Sequence, residues 1–198
     1  PQRGRLMLCW MLMVLLIPAQ HGLAQLDHGD PRWVTTWAAS PSTLPPERPI
    51  NTSYENQTLR LILHTSVGGS ALRLQLSNTH GSQPLEIGAV SVARQADASD
   101  VEPDSVRPVT FGGAASLIIP RWATVISDPL PFQVPRAGNL AVSIYVPGNS
   151  GFVTTHALSN QTNYVSESGD YSSSATFPVS EESTGWPWLT GIDVLAAQ

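Results

Sequence analysis

The sequence predicts an all-β fold: an antiparallel β-sandwich, jelly-roll-like, preceded by a signal peptide. Short runs of alternating apolar and polar residues recur along the chain, and Gly, Pro, Asn and Ser separate them. No long helical period follows Gln25. A sandwich needs this pattern, because each strand buries one face and turns every few residues.

The elements follow in chain order. Arg3 and Arg5 precede the apolar run Leu6–Ala19, and small residues follow at Gly22 and Ala24. That is the layout of a secretory signal peptide, expected over residues 1–24, with the sandwich domain over 25–198. The run is shorter than the roughly 20 residues of a membrane span, so no stable membrane anchor is expected. Cys9, the only cysteine, lies inside this segment. The mature chain would carry no disulfide, thiolate metal site or cysteine nucleophile, which suits an exported bacterial protein, extracellular or periplasmic. It would keep eight arginines against fifteen carboxylates, a net charge of −7, with no lysine. The arginines are scattered singly, which excludes the basic stripe that nucleic-acid binding requires.

Alternation defines the strands. Leu59, Leu61 and Leu63 share one face of their run, as do Leu72, Leu74 and Leu76 of the next. Gly68–Gly69 between these runs reads as the turn of a β-hairpin. Leu140, Val142, Ile144 and Val146 point one way, while Asn139, Ser143 and Tyr145 point the other. In "PLEIGAVSVA" the apolar parity changes at Gly88, which predicts a β-bulge. Pro84, Pro108, Pro120, Pro129, Pro131, Pro135 and Pro147 bound the runs and belong at turns and edges. Asp97–Ser105 reads as a solvated acidic loop.

Several stretches imitate chemistry. "LRLQLSNTHG" ends on Ser77, Asn78 and His80, but no Gly-x-Ser-x-Gly elbow surrounds Ser77. Its residues suit a strand end followed by a turn. "SESGDYSSS" places Tyr171 where a Gly-Asp-Ser nucleophile motif needs serine, and Ser172 comes one residue late. The segment reads as a polar loop. His64 and His156 fall in strand-like runs, and no Asp-x-x-His, His-x-His or His-x-x-x-His pair occurs. Asp97, Asp100, Glu102 and Asp104 lack the EF-hand spacing. No catalytic residue, metal ligand or cofactor site is therefore assigned.

For the mature tryptophans, Trp33, Trp37, Trp122, Trp186 and Trp188, core or partial-core placement is the default. Trp186 and Trp188, flanking Pro187, are the surface candidates. The C-terminal "GWPWLTGIDVLAAQ" concentrates apolar residues in what is expected to be a docking edge, to which the N-terminal "RWVTTWAAS" contributes. Trp186, Trp188 and Trp37 are thus the candidate contacts to a second domain or to a sugar.

The ordered series "WVTTWAASP", "NQTLRLILHTSVGGSALRLQLSNTHGSQPLEIGAVSVA", "TFGG", "SDPLPFQVPRAGNLAVSIYVPG" and "TTHALSNQTNYVSESGDY" resembles the N-terminal region of secreted bacterial SGNH/GDSL-type hydrolases. The likeness runs from about Trp33 to Leu195. It implies a β-sandwich accessory domain ahead of an α/β/α esterase domain, with that catalytic domain as partner and acyl esters, including acylated carbohydrate, as substrates. The family's catalytic serine, oxyanion-hole residues and Asp-x-x-His pair have no counterpart here. The alternative is a stand-alone lectin-like or carbohydrate-binding module.

Overall fold

The computed structural model describes residues 32–42 and 53–196; the expected signal peptide lies outside them. The described residues form sixteen strands and one short 3-10 turn. The first five strands are β1 (Arg32–Ala38), β2 (Gln57–His64), β3 (Gly69–Ser77), β4 (Leu85–Ile87) and β5 (Ala89–Asp97). After β6 (Asp100–Val101) and the 3-10 turn Pro103–Ser105 come β7 (Arg107–Pro108), β8 (Leu117–Ile119), β9 (Thr124–Ile126) and β10 (Leu130–Val134). The chain continues through β11 (Asn139–Val146), β12 (Thr155–His156), β13 (Asn163–Ser168) and β14 (Val179–Ser183). It closes with β15 (Trp186–Pro187) and β16 (Leu189–Ala196).

Two antiparallel sheets carry the fold. One runs β1-β16-β3-β10 with β9 beside β3, and the other runs β14-β13-β2-β11-β5-β6 with β7 beside β5. The alternating leucines decide how they stack. Leu59, Leu61 and Leu63 of one sheet and Leu72, Leu74 and Leu76 of the other enter the same buried cluster. Leu140, Val142, Ile144 and Val146 join it, with Ile192 and Val194 opposite. Burying each such side chain stabilises the fold by about 1.5–3 kcal/mol, so the period-2 pattern fixes which face turns inward. The expected β-sandwich is what these sheets form.

Three local expectations change. The Gly68–Gly69 segment is not a hairpin, because β2 and β3 lie in different sheets. Both strands carry leucines at alternate positions, and stacking them across the core buries both sets. The chain crosses between sheets where a Cβ on Gly69 would lie 2.7 Å from the Leu195 carbonyl oxygen. Thr36 holds the crossover, its hydroxyl donating to the Val67 carbonyl at 2.7 Å. Gly88, in turn, is a strand break. Before it β4 pairs with β8; after it β5 pairs with β11. A Cβ there would sit 2.7 Å from the Tyr145 ring. Leu85, Ile87, Val90 and Val92 nevertheless all reach the common core, the outcome the parity change required.

The third concerns the acidic segment 97–105, which is folded against the protein. Ser99, Val101 and Ser105 are buried, and Glu102 pairs with Arg94 at 2.6 Å. Together with 169–178 it forms a flap over the outer face of the seven-stranded sheet. A second cluster of Ile62, Ala93, Val101, Ala141, Tyr164 and Phe177 lies beneath. The Val101 amide donates to the Ala175 carbonyl at 3.0 Å, and the Phe177 amide to the Asp100 carboxylate at 3.1 Å, tying the two segments together.

Candidate functional site

The nucleophile candidates are spent on structure. Ser77 is buried, and its Oγ lies 2.6 Å from Thr79 Oγ1 and 3.2 Å from Thr124 Oγ1. Asn78 is buried beside it and donates to the carbonyls of Gln83 and Ile119 at 2.9 and 3.0 Å. This is the strand end and turn the sequence predicts. The Ser172 amide donates to the Asp170 carboxylate at 2.9 Å, a local turn within the flap, and the Ser172 carbonyl accepts from the Ser91 hydroxyl. The expected polar loop is therefore largely covered, with Ser172 itself buried. His64 Nδ1 pairs with Asn139 Oδ1 at 2.7 Å, and His156 Nδ1 with the Ser40 carbonyl at 3.0 Å. A nucleophile needs a base within hydrogen-bond reach, and neither of these contacts involves a serine hydroxyl. Among the described residues no group of three His, Cys, Asp or Glu side chains is placed to hold a metal ion.

Of the three predicted contact residues, the structure brings two together. Trp37 and Trp186 meet edge to face with centroids 4.8 Å apart, and the His156 ring stacks on Trp186 at 5.8 Å. The pairing of β12 with β15 sets His156 opposite Trp186. The Trp186 Nε1–H donates inward to the Ile62 carbonyl at 2.9 Å, anchoring the half-buried indole. Trp188 is different. It is 1% exposed, packs edge-on to Tyr54 at 5.8 Å, and its Nε1 has no partner. On one continuous strand residues 186 and 188 would share a face. Trp188 instead takes a left-handed φ of 59°, which separates β15 from β16 and lets its indole enter the core while Trp186 stays at the surface. The C-terminal stretch is likewise no open docking edge, because β16 is an interior strand between β1 and β3. Its apolar residues Leu189, Ile192 and Val194 are already buried.

Beside the Trp186 corner lies an open cleft of about 190 Å³, lined by Tyr54, Thr155, Glu181, Glu182 and Pro187 among others. Burial, and secondarily the Glu181 carboxylate, push the Tyr54 hydroxyl up to about 12. A phenol that weak is far from the operating range of a general acid or base near neutral pH.

Among the described residues the most exposed tryptophan is Trp122, for which the sequence predicts core or partial-core placement. Trp122 is 71% exposed at the tip between β8 and β9. The Ala123 amide donates to the Pro120 carbonyl at 3.2 Å, closing a turn in which Trp122 stands third with φ of 64°. Glycine is favoured there, and a bulky residue costs about 1–2 kcal/mol. The Arg121 guanidinium lies 4.4 Å above the indole and donates from Nε to the Gly81 carbonyl at 3.2 Å. Phe152, 70% exposed, hangs on the same loop: its amide donates to Ser82 Oγ at 2.8 Å. Ile118 on β8 is 65% exposed. The stretch 78–83 thus supports an aromatic tip. The sequence signal was a Pro-Arg-Trp turn between two short apolar runs, too brief to separate from an ordinary buried indole.

No protein-family model matches the chain, and no curated protein aligns with it. Fold and site together define an antiparallel β-sandwich whose distinctive surface is aromatic.

Proposed function

We propose that the chain is a non-catalytic β-sandwich accessory domain of an exported SGNH/GDSL-type serine esterase. The observation that carries this reading is the order and spacing of the resembling segments from Trp33 to Leu195. The sandwich fold and the structural employment of Ser77, Ser172 and His64 support it. In the parent enzyme a serine activated by histidine attacks the carbonyl of an acyl ester, acylated carbohydrate included, while donors hold the oxyanion. That chemistry belongs to a partner domain, and this domain shapes or supports it. Reading the gene past the codon for Gln198 tests the proposal. The expected frame encodes Gly-Asp-Ser and, later, Asp-x-x-His; a stop codon or an unrelated domain there removes the reading.

A second reading, a carbohydrate-binding module in its own right, is favoured by one observation: the exposed Trp122 beside Arg121.

A further inference from the structure

We propose that the Trp122 tip is a binding platform for an acidic polysaccharide, one built of uronic acid units. The inference is independent of the esterase reading, since an accessory domain and a free-standing module can both carry such a site.

Three features converge on it. A tryptophan occupies a left-handed turn position, φ 64°, while leaving 71% of its surface in water. Burial does not repay that conformation, and strained residues of this kind mark sites where binding does. Next, the indole is paired with a cation. Arg121 lies 4.4 Å over the ring and is itself steadied by the Gly81 carbonyl. Arg121 covers one indole face, so a pyranose stacks its C–H face on the other, while the terminal N–H groups of the guanidinium donate to the carboxylate of an adjoining sugar acid in the same polymer. Finally, a second exposed ring stands on the same support: Phe152 is 70% exposed, and its amide bonds Ser82, next to the Gly81 carbonyl that holds Arg121. Phe152 thus supplies a second ring for a neighbouring sugar unit.

The test uses the intact chain with polygalacturonate and, as a neutral counterpart, galactan, followed by affinity electrophoresis and tryptophan fluorescence. Binding to polygalacturonate is expected, weakening as salt rises. Trp122→Gly should weaken it at least about tenfold. Because glycine suits the turn, the same variant should unfold at an equal or higher temperature, which separates lost binding from lost fold. Arg121→Gln should weaken binding to polygalacturonate about tenfold and flatten its salt dependence. No binding of polygalacturonate at millimolar sugar overturns the proposal, as does Trp122→Gly binding like the parent chain. Equal affinity for galactan overturns the acidic specificity. Trp122-dependent binding to phosphatidylglycerol vesicles but not to polygalacturonate assigns the tip to a lipid surface instead.

Discussion

Arg60 is a buried cation that, among the described residues, forms no salt bridge to a carboxylate. Its Nε donates to Ser143 Oγ at 2.9 Å, and its two terminal nitrogens reach the carbonyls of Ser99, Tyr171, Ser174 and Ala175. The guanidinium also packs 4.3 Å over the Phe177 ring. Burial pushes its pKa down to about 10, partly countered by Asp100, so it stays charged at neutral pH. It pins both flap segments to the outer sheet face. Replacing it with Met leaves these acceptors unpaired and should destabilise by about 3 kcal/mol or more, read as a lower urea midpoint. Arg60→Lys should recover only part of that, since an ammonium cannot fan out to five acceptors. Tyr54 offers a pH-dependent counterpart. Its folded value of about 12 exceeds the ordinary 10. Between these values the unfolded chain has lost a proton that the folded one retains, so stability falls as pH rises through the window. Urea midpoints from pH 9 to 12 should drop for the parent chain and drop less for Tyr54→Phe.

At the scale of elements, the crossover between β2 and β3 shows what alternation can and cannot specify. The pattern states which side of each strand is buried, and Leu59 to Leu63 and Leu72 to Leu76 obey it. It does not state which strands are neighbours, because a hairpin and an inter-sheet crossover bury the same faces. Gly69 distinguishes them physically: an added methyl group meets the backbone of β16, which only the crossover brings near. Gly69→Ala should therefore cost about 1–3 kcal/mol, with the urea m-value unchanged. Similar logic applies to the aromatic residues. Composition alone could not sort Trp188, turned inward by a left-handed φ, from Trp122, turned outward by another. Both depend on backbone angles that glycine ordinarily supplies, so residue identity misled at each. The flap was illegible for a related reason. Its contacts join residues 97–105 to 169–178, far apart in sequence, and its polar composition resembles solvated loop.

At the scale of the whole molecule, the polar groups that imitate an active site serve to close turns and edges, while the largely exposed aromatic rings among the described residues, Trp122 and Phe152, stand near one tip. The first and last described strands, β1 and β16, pair from Arg32–Ala196 to Ala38–Gly191, so both ends of the domain lie in one sheet. On the function proposed above, this sandwich binds and does not break bonds. Hydrolysis of p-nitrophenyl acetate and butyrate by the purified chain tests it most directly. The rate should equal that of the Ser77→Ala and Ser172→Ala variants at the same concentration, none of them turning over above the buffer background. Turnover above that background, abolished by either substitution, would contradict it.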